Sequence, residues 1–177
     1  MATGRRTFVR VLGGTFLMLA FVGIVLAVLV RQAGGWGVPY FSFTSAHGSP
    51  CTNNLTGYTC SPLTLADVEF FGDVDLPGGT TVVASHYRST HDFSLEASLQ
   101  VPRAGAATAL KNLKRAYGPC QRGATSPLSP TGLREVCVMV NPEGAESDGQ
   151  LSSRVYAVGT GLRADGSRIV AMTVRSR

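Results

Sequence analysis

Histidine titrates near neutrality, so the three histidines, His47, His86 and His91, are the first residues to weigh for acid–base or metal chemistry. Two arrangements can be written from their spacing. His86 and His91 could share a metal ion, or His91 could be oriented by Asp92 toward a serine. Neighbouring side chains along a strand point to opposite faces, which leaves Asp92 badly placed to orient His91. No G-x-S-x-G turn exists to present an activated serine. His47 sits in a glycine- and proline-rich stretch and is expected in solvent. Gly159-Thr160-Gly161-Leu162-Arg163-Ala164 fits G-x-G-x-x-A, yet no helix follows it to aim an N-terminus at a pyrophosphate. It reads as part of a hairpin. Asp73 and Asp75 flank a turn, and turn stabilisation accounts for them. No catalytic, cofactor-binding or metal-ligating residue is assigned, and no cofactor is expected.

Cysteine is the next reactive type. Cys51, Cys60, Cys120 and Cys137 all follow a long apolar segment, and an even count in a small exported domain is a disulfide pattern. Their spacings contain no C-x-x-C pair of the kind that metal sites use. Three pairings are open. Cys51–Cys60 with Cys120–Cys137 is preferred because each closes a short loop, and on the chain-entropy account each would contribute about 3 kcal/mol.

The segment that would place those cysteines outside runs from Val11 to Val30 without a charge. Twenty residues of helix rise about 30 Å, the thickness of a bilayer's hydrocarbon. The run is longer than the apolar core of a cleaved signal and lacks its small-x-small cleavage site. An uncleaved signal anchor is therefore expected, with a cleaved secreted protein as the alternative. Arg5, Arg6 and Arg10 precede the span and only Arg31 follows closely, which orients the N-terminus toward the cytoplasm. Trp36, with Tyr40, Phe41 and Phe43, fits either an interfacial belt or the start of the folded domain. The expected layout is residues 1–10 cytoplasmic, 11–30 transmembrane, 31–50 a juxtamembrane linker, and 51–177 an extracytoplasmic domain at the cell membrane.

The net charge of +5 invites a nucleic-acid reading, but four of the sixteen basic residues are the arginines flanking the span. The remaining twelve stand against eleven acidic residues, a net of +1. No run of cations interleaved with aromatics occurs outside the anchor, so nucleic acid is not an expected partner. Arginine outnumbers lysine 14 to 2, and alanine, glycine and valine are abundant. With the anchor and the strand pairs described next, the chain resembles the uncharacterised single-pass envelope proteins of actinobacteria. That resemblance covers layout and implies no activity.

The elements follow from periodicity. Residues 91–101 alternate perfectly, with Phe93, Leu95, Ala97, Leu99 and Val101 on one face, and residues 81–88 precede them as a hairpin partner. Ala106, Ala109, Leu110, Leu113 and Tyr117 form a helical stripe, with Lys111, Lys114 and Arg115 at its C-terminal end favouring the helix dipole. Residues 133–140 read as a strand apolar on both faces, hence central. Residues 154–160 and 168–174 flank Asp165-Gly166, a strong hairpin signal. Residues 64–70 suit a capped helix or a strand equally. The expectation is an α+β fold: the transmembrane helix, then an antiparallel sheet of about five strands with one packed helix, in the order β-β-α-β-β-β. Functionally this points to a non-enzymatic binding or accessory domain whose partners are the lipid bilayer and an envelope protein. The alternative is a cell-envelope hydrolase using His86 or His91.

Overall fold

The computed structural model describes the backbone of residues 3–141, 146–147, 150–151 and 153–176, and the side chains of residues 14–141 and 153–176. Helix α1 (Thr3–Ala33) contains Gly14–Ala33, long and apolar enough to cross a membrane. Residues 14–32 are exposed along the whole helix, as expected of a surface whose matching solvent is lipid. Arg5, Arg6 and Arg10 lie on this helix, their side chains outside the described set. Arg31 is in its last turn.

The helix runs straight into the sheet. Ala33 is buried, and a Cβ on Gly34 would stand 1.9 Å from the Ser42 carbonyl oxygen, so only glycine permits that approach. Asn53 Nδ2 donates to the Gly34 carbonyl at 2.7 Å. Within the stretch expected as linker, strand β1 (Ser42–Thr44) pairs with β2 (Pro50–Asn53).

Six further strands complete one antiparallel sheet: β3 (Tyr58–Cys60), β4 (Thr81–Ser89), β5 (Phe93–Val101), β6 (Arg134–Asn141), β9 (Arg154–Leu162) and β10 (Arg168–Ser176). The strand order is β1-β2-β3-β4-β5-β10-β9-β6, and β7 (Glu146–Ser147) with β8 (Gln150–Leu151) forms a separate two-stranded hairpin. The fold is α+β as expected, but among the described residues the sheet has eight strands rather than about five. The extra strands β1, β2 and β3 are three or four residues long, too short to show alternation. Their pairing and the Cys51–Cys60 bond, not propensity, define them. Residues 141–149, acidic and turn-like in sequence, lie mostly outside the described residues.

Two helices, not one, cover the same sheet face. Helix α2 (Leu65–Gly72) resolves the ambiguous stretch, because Thr64 Oγ1 accepts the Asp67 N–H and caps it. Phe71 of α2 stacks on Tyr87 of β4 with ring centroids 3.7 Å apart. Helix α3 (Ala106–Tyr117) buries Ala106, Ala109, Leu113 and Tyr117, the stripe read from periodicity. Tyr117 Oη donates to the Gly72 carbonyl and Tyr156 Oη to the Tyr117 carbonyl, tying α2, α3 and β9 together. Inside, Leu95, Leu99, Val170, Met172 and Val174 are fully or nearly fully buried.

Strand β6 is a correction. It ends the sheet rather than occupying its centre. Its two-sided burial comes from the segment after α3. There Gln121 N donates to Val138 O at 2.7 Å and Gln121 Nε2 to Val140 O at 2.8 Å, blunting the open edge. The same segment folds over the back of β9, where a Cβ on Gly159 would meet Ser126 Oγ at 2.8 Å. The sulfur pairs are Cys51–Cys60, at 1.95 Å, and Cys120–Cys137, at 2.07 Å. The first joins β2 to β3 and the second holds the chain after α3 against β6.

Candidate functional site

The three histidines do not converge. His86 projects from β4 on the face away from the helices, opposite Glu96 in register. His91 lies beside Asp92 in the exposed β4–β5 turn. His47 is exposed, as expected, with its side chain 38% accessible, yet its Nδ1 lies 3.2 Å from Asp67 Oδ1. Its ring sits 5.1 Å from that of Phe70. No group of three or more His, Cys, Asp or Glu suited to holding a metal is found among the described residues.

The His47–Asp67 pair has the outline of a catalytic dyad, and its carboxylate also ties structure together. Asp67 is buried at the third position of α2 and receives hydrogen bonds from Ser45 Oγ, Ser49 N and Thr64 Oγ1 as well as facing His47. Burial alone would raise its carboxyl, yet the bonds from Ser45, Ser49 and His47 outweigh that and hold it below its ordinary value. Every oxygen is occupied in pinning the β1–β2 loop to α2. The carboxylate is a joint.

A different constellation forms where α3, the start of β6 and the β9–β10 turn meet. Arg168 opens β10 with its side chain 2% exposed. Its Nε donates to the Ala106 carbonyl at 2.9 Å, Nη1 reaches Thr160 Oγ1 at 3.4 Å, and Nη2 reaches Glu135 Oε2 at 3.3 Å. Burial pulls the guanidinium pKa down and Glu135 pulls it back up, but arginine stays cationic at any physiological pH. Glu135 is presented by an irregularity between Arg134 and Cys137, with its backbone at φ +50. Such left-handed positions are costly for a side-chain-bearing residue and tend to occur where a side chain must be re-aimed.

Above Arg168 lies an open groove of about 730 Å³, within the range of ligand sites. Arg103, Lys111, Lys114 and Arg134 stand around it, and Leu110 with Ala107 supplies an apolar wall. Among the described residues, none of those four cations has a carboxylate partner. The two acids present are engaged: Glu135 with Arg168, and Asp165 with the backbone and hydroxyl of Ser167. Those Ser167 bonds hold the Asp165 carboxyl below its ordinary value. Five cations against two carboxylates give the groove a net of +3, although residues 32–177 total only +1. By sequence, Lys111 and Lys114 serve the dipole of α3. The fold gives them a second setting by bringing Arg103, Arg134 and Arg168 from three other elements. Only Arg168 left a trace in the sequence, since it shares strand parity with the buried Val170, Met172 and Val174.

The register places the groove far from the end of α1. Asn53 touches the end of α1 and pairs with Tyr58, which pairs with Ser89, at the strand ends that also carry Phe93 and Ser176. Arg168 and Leu162 are at the opposite strand ends. Eight residues of strand separate Arg168 from Ser176, about 27 Å of rise. No known protein family, no curated protein and no solved structure matches this chain.

Proposed function

We propose that this protein is a non-enzymatic, membrane-anchored extracytoplasmic domain that binds an anionic ligand, rich in phosphate or carboxylate groups, in the groove beside α3. The observation that carries the reading is four cations, without ion-pair partners among the described residues, around a concave site floored by a buried arginine. Organised guanidinium and ammonium groups favour such anions by charge-assisted hydrogen bonding. The orientation is supported by three arginines before the span and one close behind it. Two disulfides support an oxidising compartment for the domain. The groove opens at the strand ends remote from the anchor, which suits a ligand or an envelope protein met away from the bilayer surface.

The test uses the full-length protein in nanodiscs of zwitterionic lipid, titrated with inorganic tripolyphosphate by calorimetry. Saturable binding is expected, weakening with added salt. Lys111→Glu with Lys114→Glu is expected to weaken it at least tenfold, about 1.4 kcal/mol. Equal binding by the two proteins, or no binding by the unaltered one, would overturn the proposal.

A further inference from the structure

The stretch after α1 contains Trp36, Tyr40, Phe41 and Phe43, and the fold divides it. Phe43 packs edge-on against Tyr58 at 5.4 Å and joins the core. Trp36 and Tyr40 remain 65% and 74% exposed. Tyr40 is held at φ +67, its backbone N–H fixed to Asn53 O at 2.8 Å, so its outward direction is imposed by the framework. On the other side of Asn53 comes the β2–β3 turn, closed by Asn54 N to Gly57 O and by Thr56 N to Asn54 Oδ1. At its tip Leu55 is 75% exposed. A single exposed leucine is ordinary. This one shares the end of the molecule that carries the anchor with an exposed tryptophan and an exposed tyrosine.

We infer that the β2–β3 turn, with Leu55 at its tip, is a second membrane contact that seats the domain on the lipid interface together with Trp36 and Tyr40. The inference rests on α1 being a membrane anchor. The occupant follows from continuity. Asn53 Nδ2 bonds to Gly34 O, one residue beyond the helix, and Leu55 is two residues from Asn53, within about 7 Å of chain. The headgroup layer on each side of the hydrocarbon is about 5–8 Å deep, so the tip lies within its reach. Tryptophan and tyrosine suit that layer, with an apolar ring and a polar edge. The neighbouring β4–β5 turn at the same end carries His91 and Asp92, polar groups that headgroups and water can solvate. With the helix and the turn both engaged, the domain has two points of attachment instead of one. The cationic groove then faces away from the bilayer.

Trp36 is the sole tryptophan, so fluorescence reads position without a label. The full-length protein is reconstituted in vesicles containing lipids with a shallow nitroxide quencher. In a Trp36→Phe background, Leu55→Trp places the reporter at the tip. Val83→Trp places it at an exposed site six residues up β4 from Ser89, about 20 Å away. The Leu55→Trp emission is expected to be quenched at least twofold more than that of Val83→Trp. Equal quenching of the two would overturn the seat while leaving the anchor intact, provided the unaltered Trp36 is quenched and the protein floats with the vesicles. A protein that fails to float would overturn both the anchor and the seat.

Discussion

Helices α2 and α3 lie on one face of one sheet and treat charge in opposite ways. Beside α2, Asp67 is buried and its oxygens are occupied by Ser45, Ser49, Thr64 and His47. Beside α3, Arg103, Lys111, Lys114 and Arg134 surround a groove whose two carboxylates, Glu135 and Asp165, are engaged by Arg168 and Ser167, and none of the four has an ion-pair partner among the described residues. A buried charge with a full set of partners has no capacity left for a ligand and acts as a fastening. Cations gathered without partners repel one another, a destabilising arrangement relieved when an anion binds.

The widest separation between the two regions should come from deleting charge in each. Asp67→Ala removes the acceptor shared by several donors and is expected to cost about 3 kcal/mol, read as a shift in the urea midpoint. Lys111→Glu with Lys114→Glu should move stability by less than about 0.5 kcal/mol, while abolishing most tripolyphosphate binding. Equal stability losses in the two variants would erase the contrast. Acid should sharpen it. The folded-state pKa of Asp67 is depressed below its ordinary 3.8. Its contribution to stability is therefore complete above that value and is lost as pH falls through the lower folded pKa. A melting series should show the unaltered protein losing stability below about pH 4 more steeply than Asp67→Asn. The smallest effect is expected for His86→Ala with His91→Ala, whose stability and ligand binding should stay within about 0.5 kcal/mol of the unaltered protein. A loss of a cellular phenotype with that pair would revive the hydrolase reading.

Legibility in the sequence followed the length of the pattern. The alternation in β5 and the stripe on α3 span nine and twelve residues, enough for a period to declare itself. Strands β1 to β3 offer too few residues, and their pairing depends on β4 and on a disulfide. The dual apolar faces of residues 136–140 suggested a central strand. The rule failed because a covering loop can bury an edge as well as a neighbouring strand does. His47 looked like a linker residue because nothing local says that Asp67, twenty positions later, will come to lie against it.

By itself the sequence determined the apolar span, its flanking arginines, the long strands and the stripe of α3, because hydrophobicity and periodicity act within one stretch of chain. Tertiary structure alone decided that Trp36 and Tyr40 point outward while Phe43 turns in. It also decided that scattered cations amounting to almost no net charge would gather in one groove. Charge summed along a chain carries no positions. Electrostatic potential depends on distance through space, and that distance is set only when remote elements pack.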